Sequence, residues 1–239
     1  MPSELDRYTL TLHTAHYVFH AMPGTKAAND IERIAAYQEQ WFERITQAFG
    51  VVMDAPIHYY LTNSPEDAGK IYGDDEPCNG FAWGPHTVVA TYNDQVVCLG
   101  AHEDTHLITQ RIAWPDSPFI SEGVAMYMDG CWWGKDNVWW VKRFVADGSF
   151  VPLRAMLSKE DFFSHSEAIT YPISGAFTRF AMERLGKEGF IQRVYSSKKP
   201  VQSALTEAFG KALPEIEADF LTWIDALNPP EEYKADIVF

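Results

Sequence analysis

His102, Glu103 and His106 stand in the order H-E-x-x-H within Ala-His-Glu-Asp-Thr-His-Leu-Ile, residues 101–108. On an α-helix, side chains four apart lie on one face about one turn from each other. Two imidazoles at that spacing reach one metal ion. Glu103 follows His102 directly, so it points to the side of that face, where a carboxylate reaches a metal-bound water without being a ligand. Two ligands, a general base and an open coordination position make up a zinc hydrolase's arrangement.

Such a site needs a third protein ligand from outside the motif helix. The continuation H-E-x-x-H-x-x-G-x-x-H fails, because its Gly and final His fall on Thr109 and Ile112. No Gly-Thr-x-Asp context follows His106. A glutamate on a later helix remains: Glu122, sixteen residues after His106 and beyond a loop holding Pro115 and Pro118. A second, antiparallel helix would bring it back beside the histidines.

H-E-D-T-H followed by S-E-G-V-A-M-Y resembles the gluzincin metallopeptidases, in particular peptidase MA-like domains and collagenase-type enzymes, where an E-G-x-A-x-Y helix follows H-E-x-x-H. The resemblance covers residues 86–186; the two motifs are specific, and the flanks match by layout only. It implies a bound Zn²⁺ with His102, His106 and Glu122 as ligands and Glu103 as the base. It also implies extended substrate along an edge strand before the motif helix, placed here on residues 88–91 with Val88, Val89 and Ala90, and walled by Phe81 and Trp83. Some members carry an acidic residue four after the glutamate ligand that orients a zinc histidine through its outer ring nitrogen. Met126 occupies that position, leaving Asp129, Asp104 or a backbone carbonyl for the role. Related enzymes supply an oxyanion donor from a later helical region; Tyr171, just before Pro172 and so held extended, is the first choice, and His165 the second.

The elements around these residues follow from periodicity. Residues 8–13 and 17–20 read as strands, and their His13, His16 and His20 as surface or strand histidines. Asp30 caps a helix running to Phe49, ended by Gly50, with an apolar stripe at Ile31, Ile34, Ala35, Trp41, Phe42, Ile45 and Phe49. Residues 57–61 form a strand, a short helix follows Ser64-Pro65, residues 73–85 are a Gly- and Pro-rich loop, and residues 87–92 are a strand leading toward the motif helix. The second half reads as nearly all helical, with helices over 119–129, 137–146, 153–157, 172–185, 187–195, 201–209 and 214–227. Trp132, Trp133, Trp139 and Trp140 cluster after Glu122 and read as core packing in preference to a stacking subsite.

The expected fold is therefore α+β and zincin-like. Residues 1–112 form a mixed β-sheet lobe carrying the H-E-x-x-H helix, residues 113–239 a helical lobe, and the zinc lies in the cleft between them. A chain of 239 residues with 46% hydrophobic and 22% charged residues buries a core without disulfides. Cys78, Cys98 and Cys131 make no disulfide framework and read as reduced thiols. A net charge of −14 argues against nucleic-acid partners, whose phosphates require clustered Lys and Arg. No apolar run approaches a membrane span, and no signal peptide is visible, although a chain exported with its leader removed would read the same. The expected activity is zinc-dependent hydrolysis of a peptide or protein substrate by a Glu103-activated water. The alternatives are hydrolysis of a non-peptide amide and a catalytically silent, zinc-stabilised binding domain.

Overall fold

The computed structural model describes residues 3–74 and 76–239. Met1 and Pro2 of the stretch read for a leader, and Asp75 of the 73–85 loop, lie outside the described residues. The chain forms two compact units, Met1–Arg111 with Asp236–Phe239, and Ile112–Ala235.

Among the described residues, the first unit is built on a five-stranded mixed sheet. Its strands are β1 (Leu10–His13), β2 (Tyr17–Ala21), β3 (Ile57–Thr62), β4 (Gly80–Trp83) and β5 (Thr87–Thr91), in spatial order β1-β2-β3-β5-β4. β2, β3 and β5 run parallel, and the two outer strands are antiparallel to their neighbours. Parallel neighbours need a crossover, and the long helix α1 (Lys26–Phe49) supplies the first. The registers Tyr17↔Ile57, Phe19↔Tyr59 and Tyr59↔Val88 put these side chains on one face, all at 1% exposure or less. α1 packs against β2, and it also meets α3 (His102–Thr109), which lies against β4 and β5. On the opposite face, Tyr60 and Val89 pack with Leu5, Tyr8, Ala68 and Ile71, the last two from α2 (Pro65–Tyr72).

Three readings of this unit are corrected. α1 starts one turn before Asp30: Thr25 is the cap, its hydroxyl accepting the Ala28 N–H at 3.2 Å. Asp30 instead accepts from Lys26 and Tyr92. The Gly/Pro stretch 73–85 contains a strand, β4, because Phe81 and Trp83 alternate against β5. Consequently β5 is an inner strand, and the edge position expected for residues 88–91 belongs to β4.

The second unit is helical around α7 (Glu167–Leu185). α4 (Pro118–Asp129) ends at Gly130, where a two-strand hairpin, β6 (Cys131–Trp132) and β7 (Lys135–Asp136), turns the chain into α5 (Asn137–Asp147). α6 (Lys159–Ser164), which periodicity does not reveal, precedes α7 and is capped by Ser158, whose Oγ accepts the Asp161 N–H. α8 (Lys187–Phe190), α9 (Val201–Phe209) and α10 (Leu213–Ala226) complete it. The core is aromatic: Phe119, Phe177, Phe180 and Phe220 are at 1% exposure or less. α4 starts at Pro118, suited to a first helical turn and one residue before the expected 119. Pro172 lies inside α7 instead of opening it. It stands in the second turn, where its missing N–H forfeits only the bond to the Ala168 carbonyl.

Candidate metal centre

β5 passes into α3 through a tight reversal. Asn93 Oδ1 accepts the N–H groups of Gln95 and Val96, Tyr92 bridges to Val97, and Cys98 N–H returns to Thr91 O at 2.9 Å. Gly100 adopts φ 122°, a conformation L side chains rarely take, and α3 starts two residues later. α3 has eight residues and no side-chain cap on its first turn. A helix this short is marginal alone, so tertiary contacts must hold it.

On α3 the Nε2 atoms of His102 and His106 are 3.3 Å apart, with the rings 79° from coplanar. Two imidazoles on one tetrahedral zinc, each at ~2.0–2.1 Å, place their nitrogens about 3.3–3.4 Å apart. The spacing therefore fits a shared zinc without rearrangement. Glu122 is the fifth residue of α4 and, like both histidines, is half-buried. Glu122 offers a carboxylate oxygen from α4. Two neutral imidazoles and a carboxylate are the donor types of a catalytic zinc site. Glu103, also half-buried, follows His102 in the first turn of α3.

Behind α3 lies a polar network that the expected site did not include. Asp104 is fully buried, and its Oδ2 accepts from the Tyr17 hydroxyl at 2.5 Å and Gln38 Nε2 at 3.0 Å. Gln38, also fully buried, donates to the Gly100 carbonyl at 3.1 Å and accepts the Gly100 N–H at 2.9 Å. Burial, and then the Asp104 charge, push the Tyr17 phenol well above its ordinary range, so it serves as a donor throughout the physiological range. One signal could have found Gln38: it falls within the α1 stripe that buries Ile31, Ile34, Ala35, Trp41, Phe42 and Ile45.

The remaining expected site residues fall as follows. Val88, Val89 and Ala90 are fully buried on β5, whose backbone pairs with β3 on one side and β4 on the other. Among the described residues, β4 is an edge strand, as is β1 at the other side of the sheet. Thr91 N–H bonds Asn79 O, and the antiparallel alternation from that bond turns the Phe81 and Trp83 backbone groups toward β5 and those of Gly80 and Ala82 away from it. Tyr171 is half-buried inside α7, its ring edge-on to Trp132 at 5.5 Å and near Phe162 at 5.9 Å. It is helical, not extended as the residue before a proline is expected to be. His165 is half-buried at the end of α6. The tryptophans are not uniformly core: Trp132, Trp139 and Trp140 are half-buried, but Trp133 is 74% exposed at the tip of the β6–β7 hairpin. Cys78, Cys98 and Cys131 are not joined in disulfide bonds. Among the described residues, no helix is long and apolar enough to cross a membrane.

No protein-family model matches the chain, and no curated protein matches it. Among solved structures it is similar to a Glu-to-Ala variant of an M1 zinc metallopeptidase from Deinococcus radiodurans, at 14% identity and a TM-score of 0.51, covering 95% of this chain and 54% of that one. The unsubstituted Deinococcus enzyme gives 14% identity, a TM-score of 0.49, and coverage of 96% and 54%. An aminopeptidase N family protein from Idiomarina loihiensis gives 10% identity, a TM-score of 0.44, and coverage of 93% and 44%. The chain spans about half the length of the two Deinococcus structures. The first of these likenesses shows the fold alone: a mixed α+β, zincin-like arrangement.

Proposed function

We propose that this chain is a zinc-dependent peptidase in which His102, His106 and Glu122 hold the metal and Glu103 is the general base. The observation that carries the reading is the His102–His106 spacing of 3.3 Å, matched to one tetrahedral ion. A zinc ion held there supplies a Lewis acid that polarises the scissile carbonyl and lowers the pKa of water. Glu103 takes the proton of the attacking water and delivers it to the leaving amine nitrogen. Tyr171 is proposed to donate its phenolic O–H to the oxyanion, with His165 as the alternative donor. The extended substrate pairs with the β4 edge, where the outward backbone groups of Gly80 and Ala82 offer a ladder that buried β5 does not. The solved metallopeptidases of similar fold support the peptide substrate class.

The test is zinc content of the purified chain together with cleavage of a peptide library, using Glu103→Gln as control. Bound zinc, cleavage by the native chain and loss of cleavage in Glu103→Gln are expected. Zinc without cleavage of any peptide or other amide leaves a zinc-stabilised binding domain; absence of zinc overturns both.

A further inference from the structure

Successive residues of an α-helix are about 100° apart, so Asp104 projects about 180° from the mean direction of His102 and His106. It therefore cannot bond the outer nitrogen of either imidazole from its own helix, and its surroundings say what it does instead. The side chain is at 0% exposure, where an isolated carboxylate is costly. Its Oδ2 accepts from donors fixed elsewhere in the unit, Tyr17 on β2 and Gln38 on α1. Gln38 itself is fixed: it grips both backbone groups of Gly100, and its Nε2 also lies 3.3 Å from the Tyr59 hydroxyl. The Tyr17 hydroxyl is likewise 3.3 Å from the backbone carbonyl of Gln38. The start of an uncapped, eight-residue helix is thus tied at two points, Gly100 before it and Asp104 within its first turn.

We infer that Asp104 is a positioning residue: with Gln38 and Tyr17 it fixes the rotation of α3 about its own axis, and so aims His102 and His106 at one metal ion. Rotating α3 by one residue step would carry both imidazoles off the metal face, and the Asp104 carboxylate resists this because it would be drawn from its two donors into apolar surroundings. An apolar residue at position 104 would pack against the sheet but would not select one rotation so sharply. The inference rests on the proposed metal site for its consequence, but the fixing of α3 is a property of the chain alone.

The experiment uses the full chain and four variants: Asp104→Leu, Asp104→Asn, Gln38→Met and Tyr17→Phe. Three quantities are measured: thermal midpoint, amide hydrogen exchange over residues 100–109 without metal, and Zn²⁺ affinity by competition with a chelating dye. In Asp104→Leu and Gln38→Met, exchange over 100–109 is expected to accelerate tenfold or more, and Zn²⁺ affinity to fall tenfold or more. Tyr17→Phe shows a smaller change in the same direction. Asp104→Asn, which keeps an acceptor toward both donors, recovers most of both properties. Leucine removes an acceptor from two buried donors, so the thermal midpoint is expected to fall as well; exchange that accelerates over 100–109 while it holds elsewhere in the unit marks positioning and not general loosening. Exchange and affinity within twofold of native in Asp104→Leu and Gln38→Met would overturn the inference. If either fails to fold, Tyr17→Phe against Asp104→Asn decides it by the same exchange measurement. A native chain that binds no Zn²⁺ sinks the metal reading, and the exchange data still decide whether the clamp fixes α3.

Discussion

Gly123 approaches α7 so closely that a Cβ built on it would meet Thr178 Oγ1 at 2.5 Å and the Ser174 carbonyl at 2.9 Å. Its neighbour in sequence is Glu122, so the missing side chain sets how near α7 the Glu122 turn of α4 lies. Gly175 repeats the device on α7, where a Cβ would meet Met126 Cβ and Asn137 Nδ2, both at 2.7 Å. The glycine after the glutamate thus has a packing reason: the two helices cross with almost nothing between their backbones.

Gly123→Ala is expected to destabilise the fold in spite of alanine's helix preference. The propensity gain is ~1 kcal/mol. The Thr178 hydroxyl can rotate aside, but the Ser174 carbonyl is backbone and cannot, and overpacking of this kind costs about 1–3 kcal/mol. The net loss is up to about 2 kcal/mol, and at this chain length each kcal/mol lowers Tm by ~2–4 °C. Calorimetry on the variant checks it; an unchanged or raised Tm would show that α4 and α7 separate freely. Zinc affinity should fall as well, because Glu122 moves with the helix.

Trp133→Asn is expected to stabilise. Trp133 has φ 48° and Gly134 has φ 71°. These are the two central residues of a hairpin turn that favours Asn-Gly. A non-glycine residue held left-handed costs roughly 1–2 kcal/mol, a penalty Asn relieves in part. Against that stands the stacking of Trp133 on Trp132 at 5.6 Å, worth about 0.5 kcal/mol for a ring so exposed. A gain of about 0.5–1 kcal/mol in urea unfolding is the expected result. A loss would mean that the indole stack outweighs the turn.

Acid should weaken the first unit through His20. Its imidazole lies 3.0 Å from His58 and stacks on Tyr60. Burial, then the neighbouring His58 and His13, push its pKa down to about 4 from 6.5. The His58 pKa is also lowered, by burial and then by His86 and His13. The unfolded chain therefore binds more protons than the folded one between pH 6.5 and about 4. In that window stability rises with pH. It is full above pH 6.5, declines as pH falls toward 4, and levels off below, as far as His20 is concerned. His20→Leu should flatten the decline when urea midpoints are compared at pH 7.5, 5.5 and 4.5. An equal pH slope in the variant would remove His20 as its source.

The proposed metal centre could be read from the sequence because its parts are local. His102, Glu103 and His106 need only the helical period to be placed, and Glu122 only a second helix after a proline-containing loop. The edge strand was not legible, because strand order in a sheet is decided by long-range pairing. The run Thr-Val-Val-Ala-Thr at 87–91 reads as the stronger strand, and for that reason it lies inside, while Gly80–Trp83, weaker by composition and hidden among Gly and Pro, takes the edge. Tyr171 was misplaced because the rule for a residue before proline describes a local preference, and a helix whose buried face runs from Thr170 to Met182 overrides it. Gln38 was present as a polar break in an apolar stripe. Its meaning required Asp104 and Gly100, more than sixty residues away, to be brought beside it.

The position of β4 makes a last expectation specific. If substrate pairs with that edge, the groups it uses are backbone, so side-chain truncation there should do little and loss of an N–H should do much. Ala82 has its backbone turned away from β5, and proline is tolerated on an edge strand where the N–H faces outward. Ala82→Pro should therefore fold, bind zinc as the native chain does, and lose one hydrogen bond to extended peptide. That loss corresponds to ~0.5–1.5 kcal/mol, a rise in KM of roughly 2- to 13-fold. Proline at Val88 is the contrasting case, since β5 is buried at 0% exposure and paired on both sides; Val88→Pro should fail to fold. Steady-state kinetics with a peptide long enough to span the strand distinguish the outcomes. An unchanged KM in a folded, zinc-loaded Ala82→Pro would place the substrate elsewhere than on β4.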